Sequence, residues 1–410
     1  MLTATEMQDD FQAEIEALMA FFDNPPIGIA NHYGLLPNTP IDVLIGPDIE
    51  SRVLKGSRNL FSKENQQSSM YENLLTPFMD ELSAELAKHE LLWRWKKNKW
   101  AFSDSVEIDA QELEYKLEPS DPRILPHMQI QAQAILQELC RRKGYKATTG
   151  IGHAHFSFRQ KGHDLLQFGK SNTPTSFLFS AIAGILDFQE NYPAFFIEPT
   201  RADRFNVHWL EIGFDRQYYN GPRLIAWMHD NGNMSVNSKL HKSGPRIHDW
   251  DMTVEPRLCK SSPHMSTMLN LAATKYGIQS RGLSMRPEEP NRHLDSIQIS
   301  LNRDDKTLEE HMRTNTHAVQ RDKKGYLYML WQTLISLEHY DPFPDGMAQN
   351  MMRICIGEYA DYLESPTAQA RYDQKERNKL YESLKKLEAQ VIERLTPKQT
   401  HTLSMERRAG

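Results

Sequence analysis

The segment from Gly150 to Phe158 constrains the fold of this chain more than any other. Two glycines lead into a strand-like run, Gly-Ile-Gly-His-Ala-His-Phe-Ser-Phe, in which His153 and His155 are two positions apart. Because alternate residues of a strand project from the same face, these histidines are expected to share a polar face with Ser157. Imidazoles on such a face hold a divalent metal, bind phosphate or polarise a substrate. The alternative is an exposed polar face without a ligand.

A second segment, residues 112–118, alternates strictly between charged and apolar residues, which predicts a strand with a carboxylate-rich face that includes Glu112 and Glu114. A predicted helix over residues 127–142 separates it from the histidine segment. If the two strands are neighbours in one sheet, their carboxylates and imidazoles converge on one face and suit Mg²⁺ or Mn²⁺. Two unrelated strands with solvated faces are the alternative.

Two further groups of charged residues have the chemistry of a phosphate or carboxylate site. Glu255 and Arg257 are two positions apart in the strand-like segment 251–258, where a glutamate can ligate a metal while the arginine neutralises a phosphoryl group. Arg204 lies in a loop after a predicted helix over 175–190, and such an arginine can hold a carboxylate in a bidentate pair. A surface ion pair and ordinary loop arginines are the respective alternatives.

The order of elements along the chain predicts an α+β fold. A short strand at residues 41–45 is predicted to end at Gly46 and Pro47, and further strand-like segments follow through the middle of the chain. Beyond about residue 290 the sequence is helix-rich, with predicted helices in 304–340, 346–364 and 367–395. A strand-rich middle followed by helices is typical of α+β proteins.

Composition excludes several classes of protein. The 410 residues carry a net charge of −6, which gives no general attraction to nucleic acid or to an anionic membrane. The 3 cysteines (Cys140, Cys259 and Cys355) are far apart and form no Cys-x-x-Cys pair, which argues against a disulfide framework or a zinc ribbon. The polar, acidic start is unlike a signal peptide, and the longest apolar run, residues 177–186, is too short to span a bilayer. We therefore expect a cytoplasmic protein.

The order of these motifs resembles the catalytic region of the glutamine synthetase superfamily over roughly residues 100–280. The motifs that carry the resemblance are Gln-Glu-Leu-Glu-Tyr-Lys from Gln111, Gly-Ile-Gly-His-Ala-His from Gly150, Ala-Gly-Ile-Leu from Ala183 running to Pro199, Thr200 and Arg204, and Val-Glu-Pro-Arg from Val254. The resemblance implies an antiparallel, curved sheet flanked by helices. It also implies three regions: an N-terminal α/β region at 1–100, a catalytic core at 101–290 and a helical region at 291–410.

The resemblance further implies a chemistry and a set of residues. ATP phosphorylates a carboxylate, and an amine then attacks the acyl phosphate, with metals and arginines stabilising the transferred charge. Small-molecule carboxylates and amines are the implied substrates, ATP and Mg²⁺ or Mn²⁺ the implied cofactors, and a ring-shaped homo-oligomer the implied assembly unless the helical tail blocks that interface. The implied metal ligands are Glu112, Glu114, His153 and Glu255. The implied cofactor contacts are Arg257, Ser157 and His155, and the implied catalytic residues are Arg204 and Arg257.

The chain also departs from the family pattern, so three functions stay open. Where the family has two arginines near the ATP phosphates, this sequence has Gly232 and Asn237. For the further carboxylate that the family has before the position of Glu112, three residues are candidates: Asp104, Glu107 and Asp109. A divergent carboxylate–amine ligase, of the amidoligase kind seen in phages and mobile elements, is the first interpretation. The second is a catalytically degenerate member that acts as a binding or structural component. The third is a metal-dependent phosphotransferase or hydrolase that uses the same pocket without an amine.

Overall fold

The computed structural model describes most of the chain, and the fold is argued from these parts alone. They are residues 11–93, 105–109, 111–149, 153–161, 163–164, 177, 180–181, 184–185, 188, 191–197, 199, 246–248, 253–255, 262–284, 326–343 and 346–395.

An antiparallel sheet forms the centre of the described structure. Its nine strands are β1 (Asp42–Lys55), β2 (Arg58–Asn59), β3 (Val106–Asp109), β4 (Glu112–Lys116), β5 (Lys146–Thr149), β6 (His153–Gln160), β7 (His163–Asp164), β8 (Arg246–His248) and β9 (Thr253–Glu255). The main order across the sheet is β3-β4-β1-β6-β9-β8, while β2 and β5 pair with β1 and β7 pairs with β6. All of these pairings are antiparallel.

Strand β1 is longer than its sequence predicts. The predicted end at Gly46 and Pro47 is wrong, because β1 continues through both residues to Lys55. Pro47 is tolerated since its carbonyl oxygen accepts a hydrogen bond from the Leu117 amide at 3.1 Å, just past the end of β4. Pro47 has no N–H with which to donate a hydrogen bond in return. The loss is small because the hydrogen-bond ladder between β1 and β4 ends at this point. Gly46 lies under Pro119, whose Cγ is 3.2 Å from the position of an added Cβ.

One face of the sheet is apolar and is covered by helices. Ile49, Leu113 and Tyr115 belong to a core with α4 (Thr76–Lys88) and α5 (Leu125–Arg142). Val43, Ile45, Phe156 and Phe158 belong to a second core, which also takes in the first and last of the described helices. Because register partners in an antiparallel sheet share a face, all of these apolar residues lie on the same side. The opposite side is left to the charged residues.

The remaining helices pack around this sheet and at the C-terminal end of the chain. They are α1 (Gln12–Asp23), α2 (Ile27–Tyr33), α3 (Lys63–Gln66), a π-helical turn (Tyr71–Leu75), α6 (Pro193–Phe196), α7 (Pro263–Ser284), α8 (Tyr326–His339), α9 (Met347–Glu364), α10 (Pro366–Arg371) and α11 (Gln374–Leu395). The predicted helix-rich C-terminal part is confirmed in α8 to α11. Among the described residues, none of the helices has both the length and the apolar character needed to cross a membrane.

The division of the chain into three regions stays a prediction. Strand β1 comes from the predicted N-terminal region, yet it pairs on one side with β4 and on the other with β6. The sheet of the predicted core is thus completed by residues from the first hundred.

Candidate functional site

Strand β1 brings the carboxylate strand and the histidine strand onto one polar face. Strands β4 and β6 are not neighbours, because β1 lies between them. Asp48 on β1 lies opposite Lys116 of β4 and also opposite His153 of β6. Glu50 lies opposite Glu114, which in turn lies opposite Glu107 of β3. The convergence expected from the sequence therefore occurs through an intermediate strand that contributes carboxylates of its own.

Three carboxylates form a compact group that we call the carboxylate group: Glu50, Asp109 and Glu114. One oxygen from each lies within 4.8 Å of the others, and Glu50 and Glu114 are buried while Asp109 is exposed. Burial, followed by the negative charge of Asp48, raises the pKa of Glu114 to about 7, and Lys116 only partly offsets this. Clustered carboxylate oxygens are the donor set that Mg²⁺ or Mn²⁺ binds. The residues present therefore fit a divalent cation.

A second interaction lies one strand further across the same face. Nε2 of His155 is 3.1 Å from Oδ2 of Asp48, and both side chains are mostly buried. The carboxylate fixes the orientation of the imidazole ring. Phe156 pairs with Val254 of β9, so the antiparallel register brings the backbone of Glu255 next to that of His155.

Two cations stand among these acidic residues in different surroundings. Nζ of Lys116 is 2.5 Å from Oε1 of Glu107 and 3.3 Å from Oε1 of Glu114. Burial lowers the pKa of Lys116, but the hydrogen bond to Glu107 and the charges of Glu114 and Asp48 outweigh it, so the net pKa is raised and the ammonium stays charged. Arg52 donates from Nε to Oε1 of Glu112 at 2.7 Å at a more open place on the face.

The predicted site residues divide into three sets. Glu114 belongs to the carboxylate group, whereas Glu112 is engaged by Arg52 and lies outside it. His155 and Ser157 lie on β6, where Ser157 is buried, and for His153 and Glu255 the structure describes the backbone pairing only. Arg204 and Arg257, like Gly232 and Asn237, lie outside the described residues. The roles predicted for all of these residues stay predictions.

Two carboxylates of the polar face were missed from the sequence. Asp48 and Glu50 alternate with Ile49 on β1, and this period-two pattern was the available signal. The proline at position 47 hid it, because a Gly-Pro pair ordinarily marks the end of a strand. Asp109 and Glu107 were among the candidates for a further carboxylate, and only the register shows that Asp109 joins the group while Glu107 binds Lys116.

Comparison with known proteins identifies the fold. No protein-family model and no curated protein matches the sequence. Apo GmaS aligns with a TM-score of 0.53 and 11% identity, covering 90% of this chain and 75% of that one. A GmaS/ADP complex aligns at 0.50 and 11%, covering 88% and 76%. A Plasmodium falciparum glutamine synthetase aligns at 0.48 and 13%, covering 88% and 78%. Taken with the motif order, the likeness to the two GmaS structures shows that the chain has the glutamine synthetase-like fold that the sequence predicts.

Proposed function

We propose that this protein is an ATP- and divalent-metal-dependent ligase that joins a carboxylate to an amine through an acyl phosphate. One observation carries the proposal: a sheet of glutamine synthetase-like fold places Glu50, Asp109 and Glu114 within 4.8 Å of one another on its polar face. A solved structure of this fold holds ADP, which supports a nucleotide as the second ligand of the site.

The residues of the polar face suit such a reaction in distinct ways. Glu50, Asp109 and Glu114 are the residues that would hold a divalent ion, and such an ion supplies positive charge to a phosphoryl group during transfer. Asp48 orients the ring of His155, so that His155 presents its other nitrogen at a fixed position. The low exposure of Glu50 and Glu114 keeps water away, which strengthens each charge–charge interaction there.

Trapping of the acyl phosphate tests the proposal directly. The protein is incubated with Mg²⁺, ATP and pooled small carboxylates, with hydroxylamine in place of the amine. An acyl phosphate is then converted to a hydroxamate, with release of one phosphate for each hydroxamate. We expect hydroxamate and phosphate in equal amounts, and a loss of at least about 100-fold in the Glu50→Gln variant.

The matched control is Glu81→Gln, which neutralises a surface glutamate that pairs with Lys143 and Arg142. It is expected to react like the wild type. Phosphate release without hydroxamate would point instead to a hydrolase, and ADP formation with neither free phosphate nor hydroxamate would point to a phosphotransferase. If the folded protein releases neither product with any pool, the ligase proposal is wrong.

The second candidate is a catalytically degenerate protein that binds a partner without turnover. It is favoured by Lys116, which already supplies a positive charge to the carboxylates of the face. Calorimetry separates the two candidates, since the degenerate protein is expected to show no heat of Mg·ATP binding while the ligase binds it.

A further inference from the structure

Lys116 is the most unusual charged residue of the polar face. It follows Glu114 by two positions on β4, so both side chains project to the same side. Its side chain is only 9% exposed, and its ammonium lies between Glu107 and Glu114. Lysine is seldom buried unless it is paired, and here the pairing is with a member of the carboxylate group.

The carboxylate of Glu114 can therefore interact with two cations: the ammonium of Lys116 and a divalent ion at the carboxylate group. One of its oxygens lies within 4.8 Å of those of Glu50 and Asp109, while its Oε1 is 3.3 Å from the ammonium of Lys116. A divalent ion stands about 2.1–2.4 Å from a carboxylate ligand, so an ion on Glu114 would lie within roughly 8 Å of this ammonium. That separation does not exceed the screening length of about 8–10 Å in ordinary salt, and the surroundings are largely buried. The two cations would repel each other strongly.

We propose that Lys116 is a built-in cation of the site, which competes with a divalent ion for Glu114 and so sets how tightly the carboxylate group binds metal. The inference rests on the cation site of the proposed function. It concerns affinity for the ion and does not require turnover of ATP. In the absence of metal, Lys116 compensates for the mutual repulsion of Glu114, Asp48 and Glu107. When a divalent ion binds, the positive charge of Lys116 repels the ion.

The experiment measures binding of Mn²⁺ alone to the full chain, by calorimetry and by the loss of free-ion signal in electron paramagnetic resonance. Lys116→Gln removes the charge but keeps a side chain that can hydrogen-bond to Glu107. We expect Lys116→Gln to bind Mn²⁺ at least about tenfold more tightly than the wild type. Lys116→Arg keeps the charge and is expected to stay within about threefold of the wild type.

Arg52→Gln is the matched control, because Arg52 is a cation of the same face that pairs with Glu112 outside the carboxylate group. Its side chain is 41% exposed, so we expect a change of less than about threefold in Mn²⁺ affinity. A gain of similar size in Arg52→Gln and Lys116→Gln would mean that only the total charge matters, and the inference would be wrong. Thermal unfolding shows whether each variant is folded. Lys116→Met, an apolar side chain of similar length, replaces the glutamine variant if that one unfolds.

The outcomes separate this inference from the proposed ligase. Unchanged or weaker Mn²⁺ binding by folded Lys116→Gln overturns the inference even if the wild-type enzyme makes hydroxamate. Absence of Mn²⁺ binding by both proteins at millimolar concentration overturns it as well, since the freed carboxylates should bind the ion. Tighter binding in a protein that never turns over ATP supports the inference while the ligase proposal fails.

Discussion

Strands β1 and β4 have buried residues on both faces, but burial has a different effect on each face. On one face Leu113 and Tyr115 are fully buried under helices, and on the other Glu114 is 8% exposed. Burying leucine removes apolar surface from water and stabilises the fold. Burying a carboxylate beside Asp48 raises its pKa and costs free energy unless a cation compensates. The first face therefore stabilises the fold, whereas the second contains buried charge that has to be offset by a cation.

Leu113→Ala tests the apolar face and should have the largest effect on stability. Leu113 is 0% exposed and packs in the core that α4 and α5 cover. We expect the free energy of unfolding to fall by about 2–5 kcal/mol, because the substitution removes buried methyl groups and leaves a cavity. Urea unfolding followed by circular dichroism measures the change. A loss below about 1 kcal/mol would mean that this face is not tightly packed.

Glu114→Gln, one residue along the same strand, should give the opposite pattern. Glutamine resembles the protonated carboxyl that a pKa of about 7 already favours, so we expect the free energy of unfolding to change by less than about 1 kcal/mol near pH 6.5. Mn²⁺ affinity and hydroxamate formation should fall by about 100-fold, since one charged ligand is lost. A variant as active as the wild type would show that Glu114 does not hold the ion.

Much of the fold follows from local sequence patterns. The alternation in residues 112–116 and 153–158 predicts β4 and β6 correctly, because one face of each strand packs against apolar residues. Helix α5, predicted over 127–142, is found at Leu125–Arg142. Such patterns indicate which face of a segment is buried, and they can be read from that segment alone.

The composition of the site was less predictable because it depends on pairings between distant segments. Nothing in residues 42–55 indicates that β1 would lie between β4 and β6, about 60 and 105 residues later in the chain. Pro47 added a misleading local signal, since its effect depends on whether a neighbouring strand needs its N–H. Asp109 joins the carboxylate group while Glu107 pairs with Lys116, and this difference also depends on the strand register and on the position of the Lys116 ammonium.

The pH dependence of stability tests whether the buried charge of Glu114 lowers the free energy of unfolding when no metal is bound. The folded-state pKa of Glu114 is about 7, above its ordinary value of 4.5, so the folded protein holds this proton more tightly than the unfolded chain does. The free energy of unfolding should therefore fall as pH rises from about 4.5 to 7, by at most about 1.4 kcal/mol per pH unit from this group. Urea unfolding between pH 4.5 and 8 without metal measures the slope. In Glu114→Gln this component should vanish, and an unchanged slope would assign it to other groups.

Arg52→Gln should have the smallest effect on stability and sharpens the contrast within the charged face itself. Its ion pair with Glu112 is as short as 2.7 Å, yet the two side chains are 41% and 21% exposed. Water solvates both charges after the pair is broken, so we expect the free energy of unfolding to change by only about 0–1 kcal/mol. Lys116 makes a contact of similar length at 9% exposure, where water cannot replace the lost partner in the same way. If urea unfolding shows a larger loss for Arg52→Gln than for Lys116→Gln, then burial does not decide which cation of this face matters.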